Sequence, residues 1–87
     1  MDRKSDVSFT TVPNPSNNTL TIFSSAVQEN ITSVTMSDFN GRVVRKIENN
    51  ESYFAVVNVE DLENGMYAVE IKTKDGVQAI RKVIVQH

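Results

Sequence analysis

The sequence predicts an all-β fold, a seven-stranded immunoglobulin-like antiparallel β-sandwich. Two observations lead to this prediction. Short segments in which apolar and polar residues alternate recur at intervals of about ten residues, a spacing typical of sandwiches and barrels. Turn-forming residues separate these segments, and no stretch of the 87 residues shows a convincing helical period. The predicted strands are residues 7–12, 19–24, 31–38, 42–47, 53–59, 66–73 and 77–85.

A proline-rich turn separates the first two strands. It spans residues 13–18 and begins with Pro13, Asn14 and Pro15. Proline lacks a backbone donor and favours extended geometry in the residue before it, so this turn ends the first strand. In the second strand, Leu20 and Ile22 share one face.

Asn40 and Gly41 form the strongest hairpin signal, between the third and fourth strands. Both residue types tolerate positive φ, which a two-residue primed turn requires. The sequence therefore predicts a tight primed turn at these two positions.

The fifth strand is apolar on both faces. One face carries Tyr53, Ala55, Val57 and Val59. Phe54 and Val56 lie on the other face, a pattern that favours cover on both sides of this strand.

The last strand has an interrupted alternation. Its in-phase apolar residues are Val77, Ala79, Val83 and Val85. Arg81 falls in the same phase, whereas Ile80 and Ile84 do not. This interruption predicts a β-bulge near Arg81 and Lys82.

The segment 62–67 is the most informative local pattern for the sandwich. In immunoglobulin-like sandwiches, a Tyr at the start of the sixth strand directs its hydroxyl to backbone a few residues upstream. The spacing of Leu62, Gly65 and Tyr67 predicts this corner, with Leu62 filling the core and Gly65 permitting a tight backbone path.

The residues that usually carry chemistry are sparse. There is no cysteine, and the single histidine, His87, is the last residue and is expected to be mobile. The net charge of −2 argues against nucleic-acid binding. The acidic residues of the second half match no calcium-binding loop: Glu48, Glu51, Glu60, Asp61 and Glu63. We therefore predict no catalytic residue, metal site or cofactor.

Three boxes of residues are informative together. The proline box is residues 12–15 with 20–22, and the hairpin box is residues 34–44. The corner box is residues 62–67, which runs on to 75–76 and closes with the terminal segment, residues 81–85. In order and spacing, these boxes resemble the C-terminal sorting domain (type A) of type IX secretion cargo proteins of Bacteroidetes. Val12 stands where that family usually has an aromatic residue, and Arg81 with Lys82 where it often has two lysines.

The resemblance implies an export address. Such domains end larger proteins that enter the periplasm by an ordinary signal peptide. An outer-membrane translocon then recognises the folded domain, and a surface sortase with cysteine-peptidase chemistry commonly removes it, leaving the cargo at the cell surface or secreted. The implied partners are the translocon, the sortase and an upstream cargo domain, and cleavage would fall before the sandwich.

On this basis residues 7–87 form the sorting domain, and residues 1–6 are a linker or cloning remnant. The candidate recognition residues are Pro13, Asn14, Pro15, Gly41, Gly65, Tyr67, Arg81, Lys82, Val83, Ile84 and Val85.

Two other functions remain open. One is an immunoglobulin-like or fibronectin-like accessory module that holds carbohydrate for a secreted enzyme. Carbohydrate sites usually present exposed aromatic platforms, whereas the six Phe and Tyr residues here mostly occupy positions compatible with a core. The other is a passive structural spacer.

Overall fold

The computed structural model describes residues 8–13, 18–25, 29–48 and 50–87. In these residues the chain forms seven strands and no helix. The strands are β1 (Phe9–Val12), β2 (Thr19–Ser24), β3 (Ile31–Ser37), β4 (Val43–Ile47), β5 (Phe54–Asn58), β6 (Gly65–Thr73) and β7 (Gln78–Val85). Every predicted strand is present, with ends that differ by one or two residues at most. Residues 1–6, assigned above to a linker or remnant, lie outside the described residues.

The strands form two antiparallel sheets, which confirms the predicted sandwich class. One sheet has the order β1-β2-β5 and the other the order β4-β3-β6-β7. Strands three, six and seven thus share a sheet, as strands C, F and G do in immunoglobulin-like sandwiches. The inward faces of the two sheets supply the core.

The core follows the two-residue alternation of the strands. In β6, Tyr67, Val69 and Ile71 are buried while Met66 and Lys72 are exposed. Each fully buried aliphatic side chain contributes about 1.5–3 kcal/mol relative to an exposed one. The buried apolar residues are Phe9, Leu20, Ile22, Ile31, Val34, Met36, Ala55, Val57, Val59, Tyr67, Val69, Ile71, Val83 and Val85.

Residues 38–42 join β3 to β4, and three of them, residues 39–41, form the turn between Asp38 and Arg42, so the predicted two-residue primed turn is wrong. The Asp38 N–H donates to the Arg42 carbonyl at 2.9 Å, and the Gly41 N–H donates to the Asp38 carbonyl at 3.0 Å. Phe39 and Asn40 are therefore the central residues of the turn, and Gly41 follows with a φ of 82°. Loops of this length commonly place a left-handed residue after a type I turn.

The predicted bulge near Arg81 and Lys82 is absent, because β6 and β7 pair in one uninterrupted register. Arg81 does face inward, and it is half-buried. Since β7 is an edge strand, the long Arg81 side chain can keep its guanidinium accessible while its stem lies along apolar surface. Its Nη1 donates to the Ile80 carbonyl at 3.0 Å. Ile80 and Ile84 face outward and are 64% and 42% exposed.

The outer face of β5 is open, so cover on both sides of this strand is also a wrong prediction. Phe54 is 39% exposed and Val56 is 50% exposed. Tyr53 precedes the strand and is exposed as well. The aromatic residues as a group lie mostly outside the core, since Phe9 and Tyr67 are the two that are buried.

Candidate recognition surface

The strand directions bring the sequence boxes to one end of the sandwich. In the three-stranded sheet, β1 ends at Val12 and β5 ends at Asn58, both beside the first residues of β2. In the four-stranded sheet, Gly65 at the start of β6 pairs with Val85 at the end of β7. The Nε of Arg45 in β4 donates to the Asn58 carbonyl at 2.8 Å and joins these ends of the two sheets.

The described part of the proline box is its beginning. Pro13 is exposed and follows β1 directly, and the Val12–Pro13 peptide bond is cis. Asn14 and Pro15, two of the candidate recognition residues, lie outside the described residues.

The corner box forms the predicted tyrosine corner. The Tyr67 hydroxyl donates to the Glu63 carbonyl at 2.6 Å, and the Tyr67 side chain is buried. Leu62 packs against the core and is half-buried, as predicted. Gly65 begins β6, and a Cβ placed there would meet no atom within 4 Å. Its φ of 158° is nevertheless one that residues with a side chain rarely adopt, so the predicted requirement for glycine rests on backbone conformation and not on space.

The hairpin box and the corner box lie side by side around an open depression of about 530 Å³. The hairpin contributes Asp38, Phe39, Asn40, Arg42 and Val44 to its lining. The opposite wall is the segment from Asp61 to Tyr67. Phe39 is 70% exposed at this rim and is the most exposed of the large apolar side chains in the described part of the chain.

Asp38 holds the hairpin loop through its carboxylate. Oδ1 accepts hydrogen bonds from the backbone N–H groups of Asn40 and Arg42, each at 2.9 Å. Oδ2 accepts a third bond from Arg42 Nε at 3.1 Å. The Arg42 N–H is the largest influence on the pKa of the Asp38 carboxyl, which lies below its ordinary value of 3.8. The loop is therefore best ordered when this carboxyl is ionised.

His87, for which the sequence predicts mobility, contacts the corner box in the structure. Its backbone N–H donates to Asn64 Oδ1 at 2.9 Å, and its Nε2 lies 2.7 Å from the Leu62 carbonyl oxygen. The neutral tautomer with a proton on Nε2 can donate in this contact. The position of His87 at the end of the sequence gave no sign of this, since the contact spans 25 residues.

Arg45 is a second residue that the sequence did not single out. Besides its bond to Asn58, its Nη2 contacts Asp61 Oδ1 in the loop before β6. An arginine in the inward phase of the edge strand β4 thus links one sheet to the corner loop. No local motif marks such a contact, because its partners come from two other parts of the chain.

Charge is divided unequally between the two sheets. The strands β1, β2 and β5 contain no charged residue. The charged residues in the strands of the other sheet are Arg45, Lys46, Glu70, Lys72, Arg81 and Lys82. A chain of net charge −2 thus presents a basic four-stranded sheet, with most of its acidic residues in loops.

Lys82 lies within an apolar part of that outer face. It pairs across strands with Ala68, while the neighbouring Met66 pairs with Ile84. Directly paired residues on one face have Cβ atoms about 4.5–5.5 Å apart. Met66 is 43% exposed, and no carboxylate of the described residues forms an ion pair with Lys82. The ammonium is therefore available to a partner.

The terminal segment is divided by the alternation of β7. Val83 and Val85 are in the core, at 0% and 1% exposure. Lys82 and Ile84 are exposed, and Arg81 is half-buried. Of the five terminal candidates, Lys82 and Ile84 can contact a partner while the strand stays folded, and Arg81 can do so with its guanidinium.

Other kinds of site find little support in the part of the chain that the structure describes. No group of three or more acidic or histidine side chains is arranged to hold a metal ion there. The same residues contain no helix with the length and apolar character that a membrane span requires.

Comparison with known proteins gives one result for the family and one for individual proteins. The family model described as "Secretion system C-terminal sorting domain" matches residues 11–86. This match covers all seven strands except the first two residues of β1. No curated protein matches the chain.

Proposed function

Because this chain belongs to the family of type IX secretion C-terminal sorting domains, we propose that it is a non-catalytic export address that an outer-membrane translocon reads in its folded state. The family assigns the chain the role of a sorting signal for export toward the cell surface or the medium. Beyond this role, we propose that the translocon recognises the folded domain and that it contacts a particular surface of it.

The alternation of buried and exposed side chains in the terminal segment, residues 81–85, supports this proposal. Val83 and Val85 are held in the core, so Lys82 and Ile84 are the terminal candidates with exposed side chains. A translocon that reads both side chains at their spacing along β7 must contact the folded sheet. In an unfolded chain the two valines would be as accessible as Lys82 and Ile84. The cross-strand pairs of Lys82 with Ala68 and of Ile84 with Met66 would also be lost.

The chemistry of this face indicates the kind of contact expected. Three exposed apolar residues lie near Lys82 on this face, namely Met66, Ile80 and Ile84, and Glu70 pairs with Ile80 in the adjacent row. Apolar patches of this kind commonly mark interaction sites. The basic character of the sheet favours an acidic surface on the translocon, since complementary charge guides encounter and register more than it adds affinity.

A matched pair of lysine variants tests which surface is read. A reporter directed to the periplasm and fused to residues 7–87 is expressed in a host with the type IX machinery. Lys82→Gln should reduce export, whereas Lys74→Gln, in the exposed β6–β7 turn, should not. Both variants should keep the melting temperature, since an exposed charge contributes well under about 1 kcal/mol. Equal export of both variants would remove Lys82 from the contact surface.

Removal of the domain by a surface sortase is the second part of the proposal. Cleavage is expected upstream of β1, so that the intact sandwich is released after passage through the periplasm and the outer membrane. In a host that lacks the sortase, an exported reporter fused to all 87 residues should retain the mass of the whole domain. The same reporter mass with and without the sortase would contradict removal.

A further inference from the structure

The outer face of the three-stranded sheet carries an aromatic cluster, which we define as Phe23, Tyr53 and Phe54. The Tyr53 and Phe54 side chains are exposed, and Phe23 is half-buried between them and β1. Phe23 and Phe54 are paired directly across β2 and β5. Their ring centroids are 6.1 Å apart, and the planes are inclined by only 32°. Tyr53 adjoins both rings, at 6.4 Å from Phe23 and 5.4 Å from Phe54. The cluster is thus three adjoining rings, in which Tyr53 is edge-on to Phe54 and tilted relative to Phe23.

Uncharged hydrogen-bonding groups accompany the aromatic cluster across this face. Thr10 pairs with Phe23 on one side, and the next row runs from Val12 through Thr21 to Val56. Polar side chains of the outward phase are hydroxyls or amides: Thr10, Thr19, Thr21 and Asn58. The fifteen residues of the three strands include no charged one.

This combination fits the chemistry of a neutral sugar ring. The face of an aromatic ring is electronegative, and the C–H groups on one side of a pyranose are weakly electropositive. A sugar lying on such rings turns its hydroxyls to the side, where threonine, asparagine and tyrosine groups can exchange hydrogen bonds with them. An anionic polymer would instead require cations, which this sheet lacks and the other sheet has.

We propose that the outer face of β1, β2 and β5 binds a neutral glycan chain through the Phe23, Tyr53 and Phe54 cluster. The proposal does not depend on the sorting function, because it concerns the opposite sheet and a different ligand. It gives the exposed aromatic face, which sequence alone assigned to the core, a chemical role.

The test uses the isotopically labelled 87-residue chain with neutral hexasaccharides of glucose, mannose and N-acetylglucosamine as probes. Backbone chemical shifts should move in β1, β2 and β5 with at least one probe and stay unchanged in β4 and β7. Phe54→Ala should weaken this binding about tenfold, the order that a stacked ring contributes for nucleic-acid bases. Val43→Ala, which shortens an exposed apolar side chain on the other sheet, should leave the binding unchanged.

A second variant separates ring stacking from apolar contact and from folding. Phe54→Leu keeps an apolar side chain on the strand but removes the ring, so it should keep the fold and lose binding as Phe54→Ala does. Binding that survives in Phe54→Leu would overturn the proposal. It would equally be overturned if no neutral hexasaccharide moved any shift at millimolar concentration, or if only a sulfated glycan, a lipid vesicle or a protein bound to this face.

Discussion

The Tyr67 hydroxyl donates to the carbonyl oxygen of Glu63 at 2.6 Å, across four residues of chain. This bond fixes the loop before β6 against the first inward residue of that strand. Leu62 and Asn64, which flank Glu63, in turn contact His87 after β7. One side-chain bond therefore orders the loop to which the end of the terminal strand is attached.

Replacing Tyr67 with Phe should lower the free energy of unfolding by about 1 kcal/mol, the usual net contribution of one hydrogen bond. Denaturant melts of the two proteins measure this difference. Tyr53→Phe is the control, because no hydrogen bond of the Tyr53 hydroxyl is formed within the described residues. The role assigned to the corner would be contradicted by equal midpoints for wild type and Tyr67→Phe.

Gly41 should tolerate Asn better than Val. Its φ of 82° lies in the left-handed region, although a side chain there would have open space. Asn adopts this conformation at a cost of about 1 kcal/mol or less, whereas a β-branched residue is more strained. Thermal melts should rank wild type above Gly41→Asn and Gly41→Asn above Gly41→Val. A reversed order of the two variants would mean that backbone strain does not govern this position.

Asp38 should make the hairpin sensitive to acid. Because the pKa of its carboxyl is lower in the folded chain than the ordinary 3.8, its contribution to stability is present above about pH 4. That contribution is lost as the pH falls through the lowered pKa. Asp38→Asn should therefore destabilise the protein near neutral pH and show a smaller loss between pH 5 and pH 2. Parallel pH curves for wild type and variant would show that Asp38 does not supply this dependence.

Arg45 should contribute more to stability than its neighbour Lys46. The Arg45 guanidinium reaches the Asn58 carbonyl and Asp61, whereas the Lys46 ammonium pairs with Glu48 in solvent. Arg45→Met should lower the free energy of unfolding by about 1 kcal/mol or more. Lys46→Met should change it by less than about 0.5 kcal/mol. Urea denaturation of both variants provides the comparison, and equal effects would mean that the link between the sheets is not stabilising.

The sequence was sufficient for the strands and for the corner because both depend on local order. Alternation marks each strand, and the spacing of Leu62, Gly65 and Tyr67 determines a contact only four residues long. The Asn40-Gly41 hairpin was also local, but its loop length was not. The Asp38 carboxylate stabilises the longer loop by accepting hydrogen bonds from the Asn40 and Arg42 N–H groups. Asp38 and Arg42 lie outside the two-residue signal.

The faces and the long-range contacts could not be predicted in the same way. Alternation indicates which residues share a face, but it does not indicate which face has a sheet packed on it. The apolar pattern of Phe54 and Val56 therefore predicts cover that these two side chains lack. Arg81 suggested a bulge because a charged residue in the inward phase is costly in a central strand. At the edge strand β7 this cost disappears, and the position of β7 follows from the whole sheet.

Export of a periplasm-directed reporter fused to residues 7–87 is the most direct test of the sorting function. The measurement is reporter activity in the medium, at the cell surface and in the periplasm of a host with the type IX machinery, compared with the same reporter without the domain. We expect the fused reporter outside the outer membrane and the unfused reporter in the periplasm. A folded fusion that stays in the periplasm of a secretion-competent host would contradict the assignment of this chain as a functional export address.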